Sequence, residues 1–245
     1  MPFTFSHPAI ILPFRYFHKK WFSLTSLIIG SMAPDFEYFI RMKVQSNYSH
    51  TLYGVFWFDL LLVLLLSFLF HNVVRNDLFF NSPSFIKSRV FIFTSFNWNH
   101  YFKENWVAIV ISALIGILSH LFWDGFTHQQ GYFTTHITEL KNCITVLGNE
   151  IPFWKLAQHL STAIGAIIII ASFFALPKNT TQPSAIHKQY WIMVVILTFT
   201  ISILRFLGYL KYLNLGNTIV TVISAFMISL LISPLLIKFK ASLKI

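Results

Sequence analysis

His120 and Asp124 are the residues whose types and spacing most directly suggest chemistry. They close the run Gly116-Ile117-Leu118-Ser119-His120-Leu121-Phe122-Trp123-Asp124-Gly125-Phe126-Thr127-His128. Four positions apart on a helix, they stack on one face with a rise of about 6 Å, so an imidazole and a carboxylate can reach one ion. His128 continues the spacing if the helix passes Gly125. Ionisable groups in or beside an apolar segment are costly unless paired or functional. The pair therefore reads either as a chelate or as a hydrogen-bonded polar contact between helices. His7, Asp35, His50 and His159 also fall at helix ends or breaks near a membrane surface, and their company favours the chelate. The candidate ligands are thus His7, Asp35, His50, His120, Asp124, His128 and His159. This mixture suits a borderline ion, most simply Zn²⁺, with Mn²⁺ or Fe²⁺ as alternatives. Seven ligands exceed one tetrahedral site; two ions sharing Asp124 would use them and leave positions for water and a substrate oxygen.

The remaining polar residues read more plainly. His18, His71, His100, His136 and His187 lie among basic or aromatic loop residues and are expected to be solvated or interfacial. Asp59 falls nearly opposite His50 on its helix and is expected to pair with a polar group on another helix. Glu139 and Glu150 read as solvated loop acids. Cys143, the one cysteine, excludes an internal disulfide.

The elements that must position these residues are set by composition. Apolar residues make up 56% of the 245, charged residues 11%, and 28 are phenylalanine, a membrane rather than a soluble composition. Crossing a bilayer takes about 20 apolar residues in a helix. Five runs qualify: Thr51 to Phe70, Trp106 to Trp123, Leu160 to Leu176, Tyr190 to Leu207 and Leu215 to Ile237. Lipid obliges the backbone to satisfy its own hydrogen bonds, so these are helices and the fold is all-α and polytopic. Residues 1–50 are less regular. Trp21 to Ala33 is too short to span comfortably and breaks at Pro34, which predicts a re-entrant or interfacial helical hairpin; a tilted sixth span over Leu24 to Ile40 is the alternative. No secretory signal is apparent, and Met1 is expected to remain. The segment from His71 to Asn105, rich in Phe and Trp, is expected to lie in the headgroup layer, and Gly125 to Gln158 forms a second long loop. With five spans, two crossings separate the N-terminal region from that loop, so all the candidate ligands share one side. The 18 Lys and Arg divide equally between the two sides and leave the orientation open. Residues 1–165 carry the candidate site and 166–245 add further helices of the same domain. The formal charge of +10 is scattered in loops that meet anionic lipid rather than gathered in a stripe, which argues against nucleic acid.

Two resemblances follow from these residues. The order His7, Asp35, His50, His120-x-x-x-Asp124, His128, His159 resembles that of the zinc-dependent phospholipase C and single-strand nuclease superfamily. That resemblance implies one zinc on Asp35, His50, His120 and Asp124, a second on His128 and His159, and a third on His7 and Asp124. It also implies attack of water on a phosphodiester, with Asp35 and Asp124 as catalytic carboxylates. The superfamily's glutamate four residues after the last histidine is Ala163 here, and its N-terminal tryptophan is Met1, so a site of one or two metals is what carries over. MPFTFSHPA, GSMAPDFEYF, SHTL, LSHLFWDGFTH and QHLS more closely resemble domain-of-unknown-function family 4184 of bacterial membrane proteins. That family is akin to proteins described as membrane-bound metal-dependent hydrolases, and it implies the bacterial inner membrane. The expected function is a membrane-embedded metal-dependent hydrolase of a phosphoester, its substrate a lipid headgroup or lipid-linked phosphate. The alternatives are a metal-ion or proton transporter and a noncatalytic membrane protein with a structural metal. A transporter needs polar groups through the midplane, where the last spans offer chiefly Thr198, Thr200, Ser202 and Ser224.

Overall fold

The computed structural model describes residues 3–146, 148–179, 186–208 and 214–242, without the side chains of 240 and 241. Beyond a short hairpin, β1 Cys143–Val146 paired antiparallel with β2 Asn149–Pro152, the described residues are built from helices and turns. α1 is Leu24–Gly30, α2 Phe36–Arg41, α3 Leu52–Asn81, α4 Ser84–Val90, α5 Trp98–Thr127, α6 Tyr132–His136, α7 Phe153–Phe174, α8 Lys188–Gly208 and α9 Leu215–Ser242. Among the described residues, five helices, α3, α5, α7, α8 and α9, are long and apolar enough to cross a membrane. The protein is an all-α polytopic membrane protein, as its sequence predicts.

The N-terminal region consists of 3-10 turns at Thr4–Ile10 and Leu12–Tyr16, then α1, a 3-10 turn Ala33–Asp35, and α2. The turn at Pro34 separates α1 from α2, so the continuous sixth span over Leu24 to Ile40 is not formed. Proline cannot supply the backbone N–H that helix continuation would need.

The spans are longer than apolar runs alone suggest, and the expected loop from His71 to Asn105 is largely helical. α3 continues to Asn81 because its polar residues find partners. The Arg75 guanidinium donates to the carbonyls of Phe96 at 2.7 Å and Thr94 at 3.1 Å, and Asn81 donates to the Asp77 carbonyl. His71, expected to be solvated or interfacial, is buried and stacked on the Trp98 indole at 4.6 Å.

Cα packing divides the chain into two compact units, each drawn from several stretches of sequence. One comprises residues 1–35, 48–64 and 104–175, and the other 36–47, 65–103 and 176–245. The two units interleave in sequence because α3 and α5 each give residues to both. In the second unit, the fully buried Glu37 carboxylate accepts from Arg41 Nε at 2.7 Å and from the backbone N–H of Asn47 at 3.0 Å, closing the bend after α2. There too, α9 holds this bend: Asn217 Oδ1 accepts from the Val44 N–H, and Thr221 Oγ1 donates to the Met42 carbonyl.

The first unit holds every candidate ligand. Its core is Ala33, Val55, Val63, Ala113 and Ile117. α1 meets α5 backbone to backbone: a Cβ on Gly30 would stand 2.6 Å from the Ala113 carbonyl oxygen, and one on Gly116 2.5 Å from that of Leu27. Small residues permit such close approach between membrane helices. Ser23 caps α1, its Oγ accepting from the Ser26 N–H, and the Ser23 N–H donates to Ser112 Oγ at 2.8 Å. Ser112, Gly116 and His120 therefore form one stripe of α5 at four-residue spacing, lying along α1.

Candidate metal centre

The stripe fixes the first ligand. Because Gly116 admits α1, the Ser31 carbonyl, one residue beyond Gly30, reaches His120 one turn beyond Gly116. It accepts from the Nδ1–H of His120 at 2.8 Å. That bond sets the tautomer and leaves Nε2 with its lone pair directed inward, the arrangement in which a backbone carbonyl orients a metal-binding histidine. Asp124 lies one turn further on, its Oδ2 at 3.3 Å from His120 Nε2.

Asp35 arrives from the break after α1. It ends the 3-10 turn Ala33–Asp35 and is fully buried. The Thr4 hydroxyl donates to its Oδ2 at 2.6 Å, so that oxygen is taken and Oδ1 faces His120 Nε2 at 3.6 Å. His50 comes from the bend before α3, where Thr51 caps the helix by accepting from the Gly54 N–H at 2.9 Å. Ser49 Oγ lies 3.1 Å from His50 Nδ1, and Nε2 stands 3.6 Å from both Asp35 Oδ1 and Asp124 Oδ2.

Asp35, His50, His120 and Asp124 thus place one donor atom each within 4.8 Å of the others. For donors 2.0–2.1 Å from a tetrahedral zinc, neighbouring donors stand about 3.3–3.4 Å apart. The four recorded nitrogen–oxygen separations, 3.3 to 3.6 Å, lie close to that edge length. Asp35 Oδ1, His120 Nε2 and both oxygens of Asp124 are buried and accept or donate no hydrogen bond. Buried polar atoms are rarely left so, and a cation at their common centre would satisfy all of them.

His7 and His128 adjoin the other face of Asp124. His7 Nε2 is 3.6 Å and His128 Nδ1 3.5 Å from Asp124 Oδ1. The 3-10 turn Thr4–Ile10 has three residues per turn, so Thr4 and His7 project from one side, one to Asp35 and one to Asp124. The His7 ring stacks on that of His120 at 3.9 Å. The turn itself is anchored on α7: the Phe3 N–H donates to Thr162 Oγ1 and Ser6 Oγ to the Thr162 carbonyl, with Gly165 leaving room for Ser6. His128 lies just past the end of α5, since Gly125 does not stop the helix, and its Nδ1–H donates to the Asp124 carbonyl at 3.1 Å.

His159, expected among the ligands, is exposed and stands outside the group. Its neighbour Gln158 occupies the inward face of α7, donating from Nε2 to the Thr127 carbonyl at 3.1 Å. Gln158, Thr162 and Gly165 form that face, and the next residue, His159, is rotated about 100° from Gln158. Glu139, Glu150 and His136 are exposed in the segment between α5 and α7. Asp59 is fully buried and lies outside the cluster, as its helical phase predicts.

The buried charges of the centre act strongly on one another. Burial is the strongest influence on Asp35 and would raise it, but the imidazoles of His120 and His50 hold the carboxyl below the usual range. Burial likewise opposes charge on His50, yet the carboxylates of Asp124 and Asp35 beside it raise it to about 9. His7 is driven down to about 3, by burial first and by His120 beside it, and so stays neutral. His50 and His128 are the open side of the centre, their side chains 24% and 31% exposed, whereas Asp35 and His120 are sealed.

Sequence reasoning missed Thr4 and the Ser31 carbonyl, which orient two of the ligands. The three-residue interval between Thr4 and His7 would have revealed the first, had a 3-10 turn been recognised there; no residue type marks the second. Comparison with curated proteins and with solved structures finds no match. The chain does match the family described as Domain of unknown function (DUF4184) across residues 1–235, and it is a member of that family.

Proposed function

We propose that this protein is a metal-dependent hydrolase of the bacterial inner membrane that cleaves a phosphoester. The observation that carries the reading is the convergence of four donors from three separate segments on one point, each aimed there by a second contact or by helix geometry. Zn²⁺ suits the two imidazoles and two carboxylates, with Mn²⁺ or Fe²⁺ as alternatives. Asp35, His50, His120 and Asp124 would hold it. When bound, such an ion supplies Lewis-acid polarisation of a phosphoryl oxygen and lowers the pKa of water from about 15.7 towards 7.

The chain's own residues supply position and charge. Two carboxylates balance a divalent cation, so the filled centre is neutral and tolerates its burial. Thr4 and Ser31 fix the directions of Asp35 and His120, which keeps the donors in place before anything binds. Asp124 Oδ1 and His7 Nε2 are the two donors that a second ion would share, with His128 adjoining. The exposed edges of His50 and His128 leave an approach for substrate. The order of these residues along the chain, like that of the phospholipase C and nuclease superfamily, supports a phosphoester as the bond hydrolysed. A transport route is less well supported, because the cluster gathers where α3 begins and α5 ends instead of running along a span.

The test is elemental analysis of the purified protein, followed by phosphodiesterase assays on soluble and lipid substrates with added Zn²⁺ or Mn²⁺. Asp124→Asn should abolish turnover and lower the metal content while the protein remains folded in the membrane, since Asn keeps the volume of Asp but not its charge. Chelator-sensitive activity at wild-type level in this variant removes Asp124 from the centre. A wild-type protein inert on all these substrates ends the phosphoester reading.

A further inference from the structure

A groove of about 350 Å³ runs along α7 from His7. Its walls are Ala9, Ile10, Trp123, Leu160, Ile164 and Ile168. The hydroxyls that line it are turned away: Ser6 Oγ donates to the Thr162 carbonyl and Ser161 Oγ to that of Ala157. Both serine hydroxyls are thus engaged within the protein, and the wall is largely apolar. The exception is at its inner end, where the buried His7 directs an unsatisfied Nε2 towards Asp124. The outer rim belongs to a membrane span, and its side chains Leu160, Ile164 and Ile168 are exposed. In a bilayer, the medium that meets this rim is hydrocarbon.

We infer that the groove receives one acyl chain of a membrane phospholipid and so holds that lipid's phosphoester beside His7 and Asp124. This deepens the hydrolase reading by naming the substrate class, and it rests on that reading for the chemistry but not for the binding. Size and form agree with the assignment. The groove follows α7 from Ala157 to Ile168, about 16 Å of helix. A unit the size of a water fills about 30 Å³, so the volume holds about a dozen methylenes. An apolar wall ending at the metal cluster matches a molecule with a long apolar tail and a polar phosphoester head. A soluble phosphodiester would leave the groove empty.

The experiment uses the full chain in vesicles of phosphatidylethanolamine and phosphatidylglycerol containing a phosphatidylethanolamine with a diazirine in its acyl chain. After illumination, adducts are mapped by mass spectrometry. Ile10, Ile164 and Ile168 should carry several-fold more label than Ile167 and Ile170, which are exposed on α7 but do not line the groove. Ile164→Trp, which fills the groove from an exposed position, should lower groove labelling about tenfold; Ile167→Trp on the same helix should not. Turnover of phospholipid should fall by a similar factor in Ile164→Trp and stay at the wild-type level in Ile167→Trp. Equal labelling of both sets of isoleucines, or indifference to Ile164→Trp, overturns the groove as a lipid site and marks ordinary bilayer contact. Displacement of the label by a polyprenyl phosphate but not by phospholipid overturns the acyl assignment. Specific groove labelling in a protein inert towards every phosphoester upholds the lipid site and overturns the hydrolase reading alone.

Discussion

Replacing Thr4 by Val isolates the part of the centre that geometry alone revealed. The two side chains have nearly the same shape, so the change removes one hydroxyl and little else. That hydroxyl donates to Asp35 Oδ2 at 2.6 Å, and both residues are buried, Thr4 8% and Asp35 0% exposed. A hydrogen bond to a charged acceptor contributes about 1.5–3 kcal/mol. Loss of a residue that orients a metal ligand typically lowers affinity about 10–100-fold, or about 1.4–2.8 kcal/mol. The two figures, reached independently, agree. Without the hydroxyl, Asp35 has no partner holding Oδ2, and its carboxylate no longer presents Oδ1 to the centre in one direction. Thr4→Val should therefore bind Zn²⁺ about 10–100-fold more weakly in competition with a chromophoric chelator, in detergent or in vesicles. Thr4→Ser, which keeps the hydroxyl and loses the methyl group, should stay within a few-fold of wild type. If Thr4→Val binds as wild type does, Asp35 is either not a ligand or not oriented by Thr4. If Thr4→Ser fails equally, the effect is one of packing and the hydrogen-bond argument is refuted.

Three further outcomes follow from the same geometry. His120→Ala should lose the metal while His159→Ala keeps it, as read by elemental analysis of each purified variant; equal loss would return His159 to the centre. In the metal-free protein, His50 is held at about 9 by Asp124 and Asp35 against its own burial, so it is protonated at pH 7 and must release that proton to ligate. Metal affinity should accordingly rise about tenfold per pH unit from pH 7 to 9 and then level off, and chelator competition at a series of pH values that shows no slope would contradict the reading. Gly116→Ala places a Cβ 2.5 Å from the Leu27 carbonyl oxygen and should destabilise the fold by about 1–3 kcal/mol through overpacking. It should also weaken metal binding by displacing Ser31 from His120. Gly208→Ala, with open space around the new Cβ, is the control, and thermal melting in detergent compares the two.

What the sequence determines by itself is the part governed by local pattern and solvent. Five apolar runs of about the length a bilayer requires predict five helices, and with five spans crossing parity puts Asp35, His50 and Asp124 on one side of the membrane. The four-residue interval between His120 and Asp124 is a property of any α-helix, so their shared face could be read without coordinates. Where the polar ends of the spans lie could not. α3 runs on to Asn81 because carbonyls at Thr94 and Phe96, distant in sequence, accept from Arg75. The phase of α7 was equally hidden. Gln158 and His159 differ by one helical step, and it is the packing of Thr162 and Gly165 against the turn Thr4–Ile10 that turns the glutamine inward and the histidine out. The tautomer of His120 depends on the Ser31 carbonyl, a backbone group that every residue possesses and no residue type announces. It is within reach only because Gly30 and Gly116 let two helices touch. Sequence supplied the ligand types and their order; long-range packing selected which of them converge and the atom each presents.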